Sequence, residues 1–555
     1  MRCAVRLVIE RALDCCGCPC HGTTHKARLL ARGVRGSAGV GCARGGESDA
    51  DDARGAEMAG YDDAKRRRER SGREYAFEVA TSVLRFGRGV SREVGLDVQE
   101  LGAKRVLLVT DRNIASLSKV HQPVLASLRK HVPQATLSVY DGVRVEPTES
   151  SVLHAVAHAI EFKPDVIIAQ GGGSVLDTAK IANLYSSLEF SGALESRHCS
   201  VPAEGSTLPH FLDYVNAPIG RGLPIPRHVH LAPLIAMPTT AGTGSETTGT
   251  AIFEHDALSA KTGISSRLLR PTLAIVDPLS LETVPIGVGA AAGMDVLCHA
   301  LESYTARPYY ERAAPSAPNV RPAYQGANPV SDVWALQTLK MLRESFGSRE
   351  KLGDPRHQEQ LALAASYAGV GFGNAGVHVP HGLSYSVGTA ASRGLSVYQA
   401  DGYVSTCASD GNGNGNGNGD GKSGKVLVPH GVSVAVVAPA VFRVTAHADP
   451  LRHAEAFEAL TGESLPSAQR ADGAYVGARL AEAVLDIMRA LQLPLSLGDV
   501  GITSREIPAM LDATLLQRRV LDLAPSSPSA PPADHSPSAT ERDLLSHILH
   551  DALTA

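Results

Sequence analysis

Four residues of this 555-residue chain form a ligand set for a divalent cation: Asp295, His299, His381 and His430. Asp295 and His299 stand four apart inside an apolar helical pattern of Met294, Val296, Leu297, Ala300 and Leu301, so both side chains fall on one helix face. A charge on a buried helix needs a partner. His381 and His430 each precede a glycine, in Val379-Pro380-His381-Gly382 and Val428-Pro429-His430-Gly431. One carboxylate with three imidazoles suits zinc or ferrous iron. Such a cation acts as a Lewis acid on an alcohol or carbonyl oxygen, lowering the pKa of an alcohol so that hydride can leave. Spacing alone leaves His378 beside His381 as an alternative third ligand.

A second set of residues suits a dinucleotide. Gly171-Gly172-Gly173-Ser174 follows an apolar run and opens a helical pattern containing Asp177 and Lys180. Glycines let backbone approach a pyrophosphate, and a helix N-terminus presents unpaired N–H groups and a favourable dipole. The spacing is not the G-x-G-x-x-G of a Rossmann fingerprint. Thr239, Thr240, Thr243 and Ser245 line a second small-residue loop after another apolar run. Two such loops at strand ends wall a dinucleotide crevice at the carboxyl edge of a sheet. Asp111 ends an earlier apolar run, where it either accepts from an adenosine ribose, favouring NAD, or simply caps the helix that starts at Arg112.

The elements that must hold these groups follow from periodicity. Val106–Val109, Val166–Ala169, Leu234–Met237 and Leu273–Val276 are continuous apolar runs bounded by turn chemistry and separated by helical patterns. Runs of that kind indicate a buried parallel sheet, hence a doubly wound α/β dinucleotide-binding domain over residues 75–285. Beyond Pro285 helical periodicity takes over, at 293–304, 332–344 and 357–370, and an all-helical metal-binding domain is expected over 286–555. At 555 residues two domains are expected on size alone. The net charge of −4 gives no reason to expect a nucleic-acid partner. No apolar run is long enough to span a bilayer.

Of nine cysteines, Cys3, Cys15, Cys16, Cys18, Cys20 and Cys42 fall in the first 42 residues, so no disulfide framework supports the body and a reducing compartment is indicated. The N-terminal stretch is arginine-rich and nearly free of acids, the profile of an organelle transit peptide, assigned to residues 1–46. A Cys/His metal knuckle and a plain tail are the competing readings of that stretch. Residues 47–74 read as a charged, solvated linker. Two insertions break the helical and strand patterns, one at 187–210 and one near 408–424 that contains the alternating Gly/Asn run. A Pro/Ser-rich tether at 525–539 leads to a short amphipathic terminal helix.

Taken together, Gly-Gly-Gly-Ser at 171, Pro-Thr-Thr-x-Gly-Thr-Gly-Ser-Glu at 238–246, Asp-x-x-x-His at 295–299 and the His-Gly pairs at 381 and 430 resemble the iron-containing alcohol dehydrogenase family. The likeness narrows to a mitochondrial branch that moves hydride between hydroxyacids and oxoacids. The segments that carry it are Tyr75–Glu78, Val145–Thr148, Phe211–Tyr214, Arg321–Gly326 and Gly371–His378. The resemblance implies the family fold, related to dehydroquinate synthase, with the active site between the α/β and helical domains. It implies hydride transfer from 4-hydroxybutyrate to 2-oxoglutarate through a tightly bound NAD, in the mitochondrial matrix, by a homo-oligomer. Lys261 resembles a family lysine near the cofactor. Tyr385 stands where many relatives carry a second histidine near the nicotinamide, so a histidine proton relay does not carry over. Both acids carry carboxylates beyond the reacting carbon, and Arg321 is the expected cationic clamp. A conventional NAD-dependent alcohol dehydrogenase and a dehydroquinate synthase-like lyase are the competing activities.

Overall fold

The computed structural model describes residues 72–190, 211–226, 228–391, 398, 428–525 and 539–554. Six strands form one sheet in the order β1-β8-β5-β4-β2-β3, with every pairing parallel. They are β1 (Val83–Phe86), β2 (Arg105–Val109), β3 (Thr136–Tyr140), β4 (Val166–Gly171), β5 (Leu234–Pro238) and β8 (Leu273–Val276). The four expected runs are the four central strands. Their unbroken apolarity has a direct cause, because successive residues serve opposite layers. Val106, Leu108, Val166, Ile168, Ile235 and Met237 pack with helices α1 (Val94–Glu100) and α2 (Ser118–His131). Leu107, Val109, Ile167, Ala169, Leu234 and Ala236 pack with α3 (Glu149–Phe162) and α4 (Gly173–Phe190). A strand covered on both faces has no polar side to show. Truncating one of these residues, such as Ile168 to Ala, would cost about 2–5 kcal/mol.

The chain steps from β2 outward to β3 and returns as β4 on the other side of β2. The winding therefore reverses at the β2/β4 boundary, and ligands bind outside the carboxyl ends at such a reversal. An antiparallel hairpin of β6 (Thr250–His255) and β7 (Ala260–Ser265) is added beside the sheet. It was not expected, because its turn carries no glycine or proline. Ser259 takes the left-handed conformation there, at φ 45°.

Beyond β8 the described residues are helical. Helix α5 (Ile286–Thr305) is the hub, buried from Gly293 to Thr305. Around it lie α6 (Pro329–Ser345), α7 (Pro355–Ala375) and α9 (His430–Ala435), while α8 (Val379–Ala390) packs on α9. Asn328 and Asp354 cap α6 and α7, each with proline at the first helical position, which lacks the N–H that would otherwise go unpaired there.

Two boundaries move. The linker expected through residue 74 ends earlier, since Arg73 bridges Ala313 and Glu74 is buried against Arg321. The insertion expected from Ser187 begins later, because α4 runs to Phe190 and Leu188 is buried within it. The terminal helix expected after the tether is α11 (Ala539–Asp551), whose Leu545, Ile548 and Leu549 are buried. The transit-peptide segment, the Gly/Asn run and residues 191–210 lie outside the described residues. No helix among the described residues is long and apolar enough to cross a membrane.

Candidate metal and dinucleotide site

Asp295 and His299 share the buried face of α5, as their spacing requires. The same face continues to Glu302, three residues further on, which is fully buried. His381 lies in the first turn of α8 and His430 opens α9. Gly431 explains how His430 gets there: a Cβ at that position would collide with the carbonyl oxygen of Ala291, so only glycine lets α9 press onto α5.

Three imidazole nitrogens converge on one carboxylate oxygen. Asp295 Oδ1 lies 3.4 Å from His381 Nε2, 3.7 Å from His299 Nε2 and 3.8 Å from His430 Nε2. Asp295 Oδ1 and His381 Nε2 are buried and have no hydrogen-bond partner. Buried polar atoms are rarely left so, and a cluster of them calls for an ion. Ligand atoms at the corners of a tetrahedron with bonds of about 2.1 Å lie about 3.4 Å apart. The separations from Asp295 Oδ1 are near that spacing, and Asp295, His299 and His381 offer ligand atoms that all lie within 4.8 Å of one another, so these three fit a divalent cation, with His430 Nε2 standing near the same carboxylate oxygen.

The surroundings prepare these groups to bind metal. His381 Nδ1 donates to Glu302 Oε1 at 2.6 Å, which turns Nε2 toward the cluster. Burial pushes His299 down to about 3 and His430 to about 4, so both imidazoles are neutral at physiological pH. Burial also acts on His381, but Glu302 and Asp295 outweigh it and raise that imidazole to about 9. A bound cation displaces such a proton, and metal and proton therefore compete there. Burial works against the Asp295 carboxylate, yet His299, His430 and His381 hold it well below the usual carboxylate range. His299 is stacked on Phe372, with ring centroids 3.9 Å apart, which fixes its orientation. His378, the alternative third ligand, faces away: its Nε2 is 3.0 Å from Thr305 Oγ1.

The same cavity is walled by Gly173, Ser174 and Asp177 of α4 and by Thr243 and Ser245 of the second loop. A Cβ on Gly173 would come within 2.5 Å of Thr243, so the two loops touch and glycine keeps their backbones accessible. Asp177 and Lys180 join them further. Ser245 Oγ donates to Asp177 Oδ1 at 2.6 Å and accepts from Lys180 Nζ at 2.6 Å, while Asp177 Oδ2 accepts from the Ile252 amide at 2.9 Å. Lys180 is fully buried and burial lowers it to about 8. Gly171, Gly172, Thr239 and Thr240 sit at the same strand ends behind this wall, with the Thr239 amide bonded to the Gly171 carbonyl at 3.0 Å. Asp111 is the N-cap of the 112–116 helix, accepting from the Ile114 amide at 3.0 Å, and does not line the cavity.

Lys261 on β7 reaches the cavity and ion-pairs with Glu146. Tyr385 on α8 also lines it, its ring parallel to that of His430 at 6.1 Å. Burial raises its phenol to about 12, so it stays protonated. The expected clamp, Arg321, is elsewhere. Its guanidinium is held by Glu74 at 2.8 Å and by Glu78 at 3.0 Å, and it does not line the cavity. Its charge is consumed in tying the start of the described chain to the segment after α5.

Three residues were missed. Glu302 had a signal, standing seven residues after Asp295 on the same face. Glu146 lies in a segment noted for its likeness, but nothing marked its side chain. Arg519, from the short helix α10 (Arg518–Leu521), lines the cavity with no local pattern to announce it.

Comparison with known proteins identifies the family of the chain. The family model described as iron-containing alcohol dehydrogenase matches residues 81–278. The chain is 44% identical over 456 residues to the mitochondrial hydroxyacid-oxoacid transhydrogenase of Bos taurus, covering 81% of this chain and 87% of that protein. The Homo sapiens protein of the same name is 42% identical over 454 residues, covering 81% and 87%. Among solved structures, a 1,3-propanediol oxidoreductase matches with a TM-score of 0.64 at 23% identity, covering 86% of this chain and all of that one. The iron-containing alcohol dehydrogenase of Thermococcus thioreducens matches with a TM-score of 0.62 at 21% identity, covering 86% and 99%. The chain belongs to the iron-containing alcohol dehydrogenase family and is an oxidoreductase acting on hydroxyl donors. Within that family its sequence stands with the hydroxyacid-oxoacid transhydrogenases. Membership implies a bound metal and NAD(H).

Proposed function

We propose that the chain moves a hydride from 4-hydroxybutyrate to 2-oxoglutarate, giving succinate semialdehyde and 2-hydroxyglutarate, with NAD retained between the two half-reactions. The observation that carries this reading is a single cavity that joins a glycine-lined strand-end cradle to a cluster of unpartnered metal-binding atoms. Likeness to transhydrogenases over four-fifths of the chain supports the choice of acids over simple alcohols.

Asp295, His299, His381 and His430 would hold the cation, iron or zinc. When bound, the cation supplies Lewis acidity and the nicotinamide supplies a site that takes and returns hydride. Glu302 keeps the His381 tautomer correct. Gly171, Gly172, Gly173, Ser174, Thr239, Thr240 and Thr243 cradle the dinucleotide phosphates, with Asp177 and Ser245 bracing the loops. Asp111, at the end of β2, is the ribose acceptor in this reading, using the carboxylate oxygen that the helix cap leaves open. Lys261, neutralised by Glu146, orients the nicotinamide ribose. Tyr385 offers a neutral hydroxyl to the reacting oxygen. The protein acts as a homo-oligomer in the mitochondrial matrix, in line with relatives named mitochondrial.

Purified protein given no NAD should consume 4-hydroxybutyrate only when 2-oxoglutarate is present. Turnover that needs free NAD and ignores 2-oxoglutarate would favour a conventional alcohol dehydrogenase.

A further inference from the structure

Among the described residues, one lysine and one arginine line the cavity, Lys261 and Arg519. They differ in what neutralises them. Lys261 is ion-paired with Glu146, itself held below the usual carboxylate range: burial acts against ionisation, but Lys261 and His430 outweigh it. Among the described residues, Arg519 has only neutral contacts. Its Nη1 donates to Ser265 Oγ at 3.1 Å and its Nη2 to Tyr385 Oη at 3.3 Å, and its guanidinium carbon lies 5.0 Å from the centre of the Tyr324 ring. Those contacts aim the planar fork without supplying an anion, and they leave donors for one.

Its neighbour provides the control. Arg518, one residue earlier on α10, is buried and paired with Asp522 and with Glu541, the latter at 2.8 Å. The helix is thus anchored through Arg518, and Arg519 is not required to hold it. Arg519 also stands one phenol away from the metal cluster, because the Tyr385 ring it touches lies against His430.

We propose that Arg519 is the substrate-carboxylate anchor, serving both half-reactions through the carboxylate that both acids carry at the same distance from the reacting carbon. In 4-hydroxybutyrate the carboxylate carbon is the third from the carbinol carbon. In 2-oxoglutarate the distal carboxylate carbon is likewise the third from the keto carbon. A single guanidinium therefore holds either acid with its reacting carbon in one place, and an Arg–carboxylate fork fixes orientation as well as position. The inference rests on the transhydrogenase reading and names the group that makes it selective for acids.

The test compares wild-type holoenzyme with Arg519→Gln and Arg519→Lys, using 4-hydroxybutyrate and its uncharged analogue 4-hydroxybutyramide as donors and 2-oxoglutarate as acceptor. For Arg519→Gln, kcat/KM for the acid should fall on the order of a hundredfold, mostly through KM, while the amide changes little. The KM for 2-oxoglutarate should rise in parallel. Arg519→Lys should fall between, keeping charge without the fork. Metal content and thermal unfolding should match the wild type. Equal losses for acid and amide, or no loss for either, would overturn the anchor while leaving the transhydrogenase intact. A wild-type enzyme that cannot exchange the two acids would sink the functional reading first, and the anchor with it.

Discussion

At the carboxyl edge of the sheet the site is made of backbone, with Gly173 lying so close to Thr243 that a single methyl would force the loops apart. Across the cavity it is made of side chains, where three imidazole nitrogens stand within 3.8 Å of one carboxylate oxygen and buried polar atoms lack partners. On the proposed reading, the first region should tolerate changes in most side chains but few in shape. The second should tolerate neither loss of a ligand nor loss of the group that aims it. A dinucleotide would spread its binding over many amide contacts, whereas a cation would draw its binding from four atoms.

The contrast predicts a steep gradient of effects. His381→Ala should remove the metal and turnover together, measured by elemental analysis and by acid exchange. His378→Gln should retain both, since that ring faces Thr305. Metal loss in the second variant but not the first would reverse the assignment. Glu302→Gln should weaken metal retention about 10–100-fold, because a carboxylate behind a ligating histidine fixes its tautomer. Unchanged affinity in a chelator competition would show that the cluster needs no such support. Gly173→Ala should leave the metal in place and cost about 1–3 kcal/mol in the closeness of the two loops. Its effect should appear as faster NAD loss on dialysis. At the small end for catalysis, Arg321→Ala should leave the KM of both acids alone. It should instead lower the melting temperature, because Glu74 is left buried and unpaired at a cost of about 3–5 kcal/mol. A selective rise in acid KM would restore Arg321 as a substrate clamp.

The legibility of the molecule follows the same divide. The four central strands were readable because each is covered on both faces, which leaves an unbroken apolar run. β1 and β3 lie at the sheet edges, where Arg85 in one and Ser138 in the other interrupt the apolar run. The β6–β7 hairpin was hidden by a turn in which Ser259 does what glycine usually does. Asp295 and His299 were readable from helix spacing, and Glu302 from the same rule carried one turn further. His381 could be separated from His378 only in three dimensions, since the difference is whether a ring meets Asp295 or Thr305. Arg321 and Arg519 show the limit most clearly. Both are arginines in unremarkable local sequence, and what separates them is that Glu74 and Glu78 reach one and no carboxylate among the described residues reaches the other.

The central claim is that hydride passes from one acid to the other through a nicotinamide that stays in the cavity. 4-Hydroxybutyrate carrying deuterium on its carbinol carbon, incubated with 2-oxoglutarate and an excess of unlabelled NADH, tests it most directly. The account predicts that the deuterium appears on C2 of 2-hydroxyglutarate, undiluted by the NADH in solution. Label that is diluted by that pool, or absent from the product, would contradict it.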